Sequence, residues 1–227
     1  MDLSHHTDLD NPVWNALSQS HSWLSLDYGS IKFYNPQYNS FGGYTSGSDI
    51  EKGLIEYSQI TDSFFVVGDK PIVSDTLYIE KEILCYQMVM IHLSPFIHNY
   101  SFKPLEESEY EALFNLIQLV MPGYFRPKTP LMGQYFGIYD GQKLVSAAGM
   151  RIHLNHYTEV SSIVTNPEYR SRGYAAALTA HCAQIILNES KIPFLHVLTT
   201  NDTAISMYER LGFQKRRLMT FWLIKKR

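Results

Sequence analysis

The sequence is poor in cysteine and in long apolar runs, and it carries no marked excess of either charge. Two cysteines, Cys85 and Cys182, stand about a hundred positions apart in 227 residues. A disulfide framework is therefore excluded as an organising principle, and a reducing, cytoplasmic compartment is the expected location. The longest apolar run, "ILCYQMVMIHL" (Ile83–Leu93), is too short to span a bilayer as a helix. Net charge is −3, so neither nucleic acid nor an anionic membrane is expected as a partner. Residues 1–20 are polar, acidic and histidine-bearing, unlike a secretory signal peptide. Neither G-x-G-x-x-G nor G-x-x-x-x-G-K-[ST] occurs, which sets aside two nucleotide-binding motifs. No repeat or low-complexity tract is present.

What remains is an ordinary globular composition, 45% hydrophobic and 18% charged, long enough for one large domain or two small ones. Sixteen Tyr, twelve Phe and three Trp are expected chiefly in cores and groove walls. In the first hundred residues, "NPVWNALSQSHSWL" (Asn11–Leu24) reads as a helix capped by Asn11 with Pro12 in its first turn. "SIKFYN", "SFFVVGD" and "EILCYQMVMI" read as strands, and the turn-rich "YNSFGGYTSGSDIEKG" (Tyr38–Gly53) as a surface loop. A boundary is expected near residue 103, dividing an α/β segment 1–103 of unclear role from a second domain, 104–227. There, Pro104 and the acids Glu106, Glu107 and Glu109 open a helix with the apolar stripe Leu113, Ile117 and Val120. Two strands joined at Asp140-Gly141 follow, then the strand "TEVSSIVT", a helix from Gly173, the strand "FLHVLTT", a helix capped by Asn201 or Asp202 and stopped by Gly212, and a last strand. The fold class is α/β (α+β): a mixed sheet with an antiparallel meander, flanked by helices.

The junction "VTNPEYRSRGYAAALTAHC" turns a strand into a helix at Gly173. Ala175, Leu178, Cys182, Ile185 and Ile186 fall on one helical face, while His181, Gln184 and Asn188 fall on the other. The helix N-terminus carries unpaired N–H groups and a positive dipole end, which suit a phosphate; Arg170 and Arg172 add positive charge beside it. Taken alone, the turn fits a glycine-containing αβ loop with solvated arginines better.

Arg170-Ser171-Arg172-Gly173-Tyr174-Ala175 resembles the acyl-CoA-binding signature R/Q-x-x-G-x-G/A of the GNAT N-acetyltransferase superfamily. Ser171 and Ala175 stand at positions where glycine is common. The lead-in "SIVTNPEYRSRGYA" and the later "NDTAISMYERLGF" are similar to that family too, so the resemblance runs over about half the chain, Pro104–Arg227. It implies a mostly antiparallel sheet that splays between the strands of Glu159 and His196. The segment 1–103 is then a candidate for a degenerate GNAT-like half. It implies acetyl-CoA as co-substrate and no metal. Ile163, Val164 and Thr165 would meet the pantetheine arm, the N–H groups from Arg170 to Ala175 the pyrophosphate, and Asn201 the pantetheine or the turn into the last helix.

The implied activity is acetyl transfer to a primary amine on a small molecule or peptide. The non-enzymatic alternative is an acyl-CoA-binding or sensing module. A side-chain amine with pKa near 10.4 is neutral about once in two thousand at pH 7, a deficit of roughly 4–5 kcal/mol; an α-amine near 7.8 lacks only about 1 kcal/mol. The resemblance casts Glu159 as general base and Tyr208 as the acid that protonates the leaving sulfur. His196 is a further candidate base or substrate ligand, although its setting suits a half-buried structural histidine. His153 and His156, with His5 and His6, are the candidate metal ligands, but "HLNH" offers only two, with no acidic or cysteine partner nearby, so no zinc site is expected. Cys182 reads as a core residue, and the "KRR" of Lys215–Arg217 as a solvated strand face or a neighbour of a CoA phosphate. The chain is expected to be a monomer or a homodimer.

Overall fold

The computed structural model describes residues 6–96 and 98–227. His5 lies outside them. The elements, in chain order, begin with α1 (Pro12–Ser18), β1 (Ser25–Asp27), β2 (Ile31–Tyr34), β3 (Phe41–Tyr44), α2 (Glu51–Tyr57), β4 (Ser63–Val67) and β5 (Leu77–Met90). They continue with β6 (Lys103–Pro104), α3 (Tyr110–Val120), β7 (Tyr135–Asp140), β8 (Lys143–His153) and β9 (Tyr157–Thr165). Last come α4 (Tyr174–Asn188), β10 (Ile192–Leu198), α5 (Asp202–Arg210) and β11 (Phe213–Lys226). The described strands form one sheet of mixed, mostly antiparallel pairing in the order β1-β2-β3-β4-β11-β5-β10-β9-β8-β7-β6. The final strand, β11, is inserted between β4 and β5, so the sheet is continuous across residues 103 and 104.

Local chemistry accounts for most of these elements. The Asn11 side chain accepts from the Trp14 N–H and opens α1, and the Asn201 side chain accepts from the Ala204 N–H and opens α5. A reciprocal capping box between Glu106 and Glu109 precedes α3, whose Leu113, Leu116 and Ile117 are buried. Pro104 lies on the edge strand β6 rather than in the helix itself.

The glycines of "SFGGYTSG" misdirect a sequence reading. The expected surface loop contains β3, a fully buried strand. A side chain on Gly42 would strike the Phe33 ring, and one on Gly43 would come within 2.6 Å of the Trp14 backbone nitrogen. These glycines are there for close packing, not for turning.

Helix α4 is also more deeply seated than its apolar spacing implies. Leu178, Cys182 and Ile186 pack with Phe136, Val145 and Val160 on one side. Ala176, Ala180 and Ala183 pack with Leu195, Val197 and Tyr208 on the other. The alanines let two clusters close on the helix, while Ala175 and Ile185 are only half-buried. His181 is half-buried too, its ring centroid 4.4 Å from that of Phe102 and 4.5 Å from that of Phe136.

Two features of β9 position the site. Between the pairs Val164↔Ala147 and Ser161↔Gly149, β9 advances three residues against two on β8, a bulge that holds Ser162 at φ +53°. On its other edge, β9 pairs in parallel with β10 only from Tyr157 to Glu159. Beyond Glu159 the two strands part.

Candidate active site

The parting of β9 and β10 opens a cleft of about 200 Å³, open to solvent. Ser161, Ser162 and Ile163 of β9 line it opposite Val197 and Leu198 of β10, with Asn201 and Tyr208 beside them. Glu159, His196 and Arg151 also line it. The remaining wall is apolar: Phe41, Ile83 and Cys85 from the first hundred residues, Met121 and Tyr124 from the segment after α3, and Phe221 from β11. Val164 and Thr165 continue β9, paired with Ala147 and Ser146 of β8.

The loop Arg170–Ala175 lies where β9 runs on into α4. Ser171 and Gly173 both take left-handed backbone angles, φ +62° and +81°. Gly173 is the N-cap of α4 and supplies no side-chain cap, so the first turn keeps its N–H groups free for a ligand. Space is not what selects glycine at this position. A methyl on Gly173 would sit in ordinary contact, 3.6 Å from Tyr100 Oη and 3.9 Å from Phe96. The left-handed angle selects it. Ser171, Arg172 and Arg170 are exposed, Tyr174 and Ala175 half-buried, and Arg172 lies over the Tyr169 ring at 4.8 Å. Tyr100 Oη donates to the Arg172 carbonyl. Of the expected phosphate-binding N–H groups from Arg170 to Ala175, that of Arg170 already donates to the Pro167 carbonyl at 3.4 Å, which leaves Ser171 to Ala175.

Glu159 is in a different setting from an available general base. It is 1% exposed, and Arg151 Nε donates to Oε2 at 3.0 Å while Nη2 donates to Oε1 at 3.2 Å. His196 Nδ1 lies 2.9 Å from Oε1. Burial by itself would raise the carboxyl pKa, but the Arg151 charge and the bonds from His196 and Arg151 outweigh it and hold the group at about 2.

The other ring nitrogen of His196 is also engaged. Gln87, fully buried and directly across the strand pair from His196, places its Nε2 3.4 Å from His196 Nε2 and donates to the Leu9 carbonyl at 2.8 Å. Gln87 Oε1 accepts from Arg216 Nη1 at 2.9 Å, and Arg216 Nη2 donates to Asp10 at 2.6 Å. A guanidinium can only donate, so Arg216 fixes which end of the Gln87 amide faces the imidazole. His196 therefore presents a lone pair at Nε2 and its proton at Nδ1, toward Glu159. Arg216 sits at the β11 bulge between Lys215 and Arg217, which sends both Arg216 and Arg217 to Asp10. The expected solvated face thus holds one arginine, Arg216, whose side chain is only 8% exposed.

Tyr208 is buried among Met88, Leu195 and Phe213, yet it reaches the cleft. Its hydroxyl makes no hydrogen bond to the described residues, and burial pushes the phenol pKa up. It therefore stays protonated across the working range. The histidines considered for metal are placed elsewhere. The His153 ring lies tilted against that of His21, centroids 5.4 Å apart, and His6 Nδ1 lies 2.8 Å from Tyr157 Oη. No cluster of three or more His, Cys, Asp or Glu that could hold a metal occurs among the described residues. Cys85 and Cys182 are free and buried, and no described helix is long and apolar enough to cross a membrane.

Sequence reasoning missed Arg151, Gln87 and Arg216. The signal for the first two is a polar residue interrupting an apolar strand, "AAGMRIHL" and "LCYQMVM". Such a residue is tolerated in a core only when its hydrogen bonds are met.

Residues 135–223 match the model of the FR47-like protein family. The whole chain is similar to a GNAT-family protein from Novosphingobium aromaticivorans, at 30% identity over 96% of this chain and 98% of that one, with a TM-score of 0.89. The chain belongs to the GNAT family. The GNAT fold is shared more distantly with a GCN5-related N-acetyltransferase-like protein from Streptococcus suis, at 13% identity, TM-score 0.65, and coverage of 99% and 98%. It is shared also with a GCN5-related N-acetyltransferase from Kribbella flavida, at 15% identity, TM-score 0.57, and coverage of 93% and 95%. No curated protein matches the chain. The GNAT resemblance carried by the motif of the C-terminal half thus extends over nearly the full length.

Proposed function

We propose that the protein is a cytoplasmic N-acetyltransferase that moves acetyl from acetyl-CoA to a primary amine. One observation carries this reading: β9 and β10 part immediately beyond Glu159, and Tyr208 and Asn201 line the gap. The open edge of β9 from Val160 to Thr165 suits the amides of a pantetheine arm, which add to it as a further strand would. The free N–H groups from Ser171 to Ala175, with Arg170 and Arg172, receive the pyrophosphate. In the reaction the amine nitrogen attacks the acetyl carbonyl, the C–N bond forms, the C–S bond breaks and the sulfur takes up a proton. Tyr208 is the donor placed for that last step. A phenol raised by burial is a weak acid, so its main part is a hydrogen bond to the developing thiolate, with transfer completed as the bond breaks. Glu159 serves through its partners. It fixes the orientation of His196 and balances the buried Arg151 charge. Titration calorimetry with acetyl-CoA, followed by thiol release on addition of a panel of amines, tests the reading. Failure to bind acetyl-CoA removes it; binding without turnover against any amine makes the protein an acyl-CoA sensor instead.

A further inference from the structure

We propose that the acceptor is a weakly basic amine, carried on an apolar, ring-sized body, that enters the cleft already neutral. This rests on the acetyl-transfer reading of the same cleft and adds the class of its second substrate.

Charge balance at the cleft comes first. Among the described residues, Arg151 and Glu159 are the only formally charged side chains lining it, and they are paired to each other through two hydrogen bonds. An ammonium ion entering there would give up its water shell and meet a carboxylate already neutralised. Desolvating an ion without a counter-charge costs several kcal/mol. The neutral amine avoids that penalty.

The polar network is also closed. His196 offers Nδ1 to Glu159 and Nε2 to Gln87, whose amide is held in turn by Leu9 and Arg216. Both ring nitrogens already have partners, so an entering amine meets no unengaged one. Glu159 is a poor substitute, held at about 2. The other titratable groups facing it do not help. Burial keeps Tyr34, Tyr135 and Cys85 protonated and His21 and His153 neutral. Of these only Cys85 lines the cleft.

Stoichiometry then decides what the cleft can process. A neutral amine and a thioester give an amide and a thiol with no net proton exchange, because the proton lost by nitrogen is the one gained by sulfur. The Tyr208 hydroxyl, which both donates and accepts, can pass it between them. An ammonium ion would have to lose a second proton to a group the cleft lacks. The walls supply the rest of the selection. Phe41 and Phe221 meet at 5.4 Å, and Tyr124 and Met121 complete a surface on which an aromatic or branched body packs.

The test compares phenylalaninamide, an α-amine titrating at about 8, with phenethylamine, an alkylamine at about 10. Thiol release from acetyl-CoA is followed from pH 6.5 to 9.5, and binding of each amine to the complex with CoA is measured by calorimetry. At pH 7, kcat/KM on total amine should favour phenylalaninamide by on the order of a hundredfold, the ratio of neutral fractions. The phenylalaninamide profile should rise and level off near pH 8, while the phenethylamine profile should still be rising at pH 9.5. Glycinamide, with the same amine and no ring, should be poorer by about tenfold or more. Equal rates for the two ring-bearing amines at pH 7, or a break at one shared pH, would overturn the proposal. So would failure of either ring-bearing amine to bind the CoA complex. If a lysine-type amine is acetylated in their place, acetyl transfer stands and the acceptor class falls; if CoA itself does not bind, both fall.

Discussion

The Arg170–Ala175 loop and the polar cluster around Glu159 belong to the same strand system, yet they are built in opposite ways. The loop is six consecutive residues, largely exposed, acting through backbone N–H groups. The cluster draws Asp10, Gln87, Arg151, Glu159, His196 and Arg216 from across the chain and acts through side chains that, apart from exposed Asp10, are largely buried. A contiguous loop can change with little effect on folding, because few other contacts depend on it. Each member of a buried network is held by the others, so the loss of one is felt first as stability. The difference between binding variants and folding variants should follow this division.

The largest expected effect is in the cluster. Glu159→Gln leaves the Arg151 charge buried without its counter-ion, and loss of one partner of such a pair costs about 3–5 kcal/mol. Urea denaturation measures it; a loss under 1 kcal/mol would mean that water reaches the pair. The pH dependence has a definite sign. The folded-state pKa of Glu159 is depressed, so its contribution is complete above the unfolded value of 4.5 and fades as pH falls toward about 2. The Gln variant should lack that part of the acid limb.

Next in size is Tyr208→Phe, which should lower turnover by roughly a hundredfold while leaving acetyl-CoA affinity nearly unchanged. Single-turnover thiol release and calorimetry separate the two quantities. Wild-type turnover would make the phenol a packing residue and leave water as the donor.

Gly173→Val should weaken acetyl-CoA binding by about tenfold or more without unfolding the chain, since a β-branched residue at φ +81° carries about 1–3 kcal/mol of strain into the loop. Unchanged affinity on folded protein would take the loop out of the binding site. Should the variant lose as much stability as Glu159→Gln, the contrast between loop and cluster breaks down.

The smallest effects belong to the exposed arginines. Arg170→Ala and Arg172→Ala should each reduce affinity by up to about tenfold at low salt, and by less as ionic strength rises. Comparing CoA with its dephospho form identifies which arginine, if either, meets the ribose phosphate.

The sequence made the GNAT elements after residue 104 legible because their signals are local. Asn201 caps the helix that begins at Asp202, Gly141 turns a hairpin, and Gly173 stands where a strand becomes a helix. The first hundred residues resisted the same reading. Gly42 and Gly43 look like turn residues but are packing residues, and only the position of Phe33 and Trp14 reveals it. Within the site, Tyr208 and Asn201 were found at their motif positions and do line the cleft. The setting of Glu159 was not legible, because it depends on Arg151, eight residues back on a neighbouring strand, and on His196, thirty-seven residues ahead.

By itself, then, the chain's order of residues determined the helix caps, the hairpin turn and the strand-to-helix junction at Gly173, since each depends on neighbours a few positions away. Only the tertiary structure decided the chemistry of the cleft. Pairing His196 with Gln87, inserting β11 beside β5 and folding Asp10 onto Arg216 bring together groups up to about two hundred residues apart. The ionisation of a buried group follows from which charges and dipoles surround it in space, and separation along the chain does not encode that.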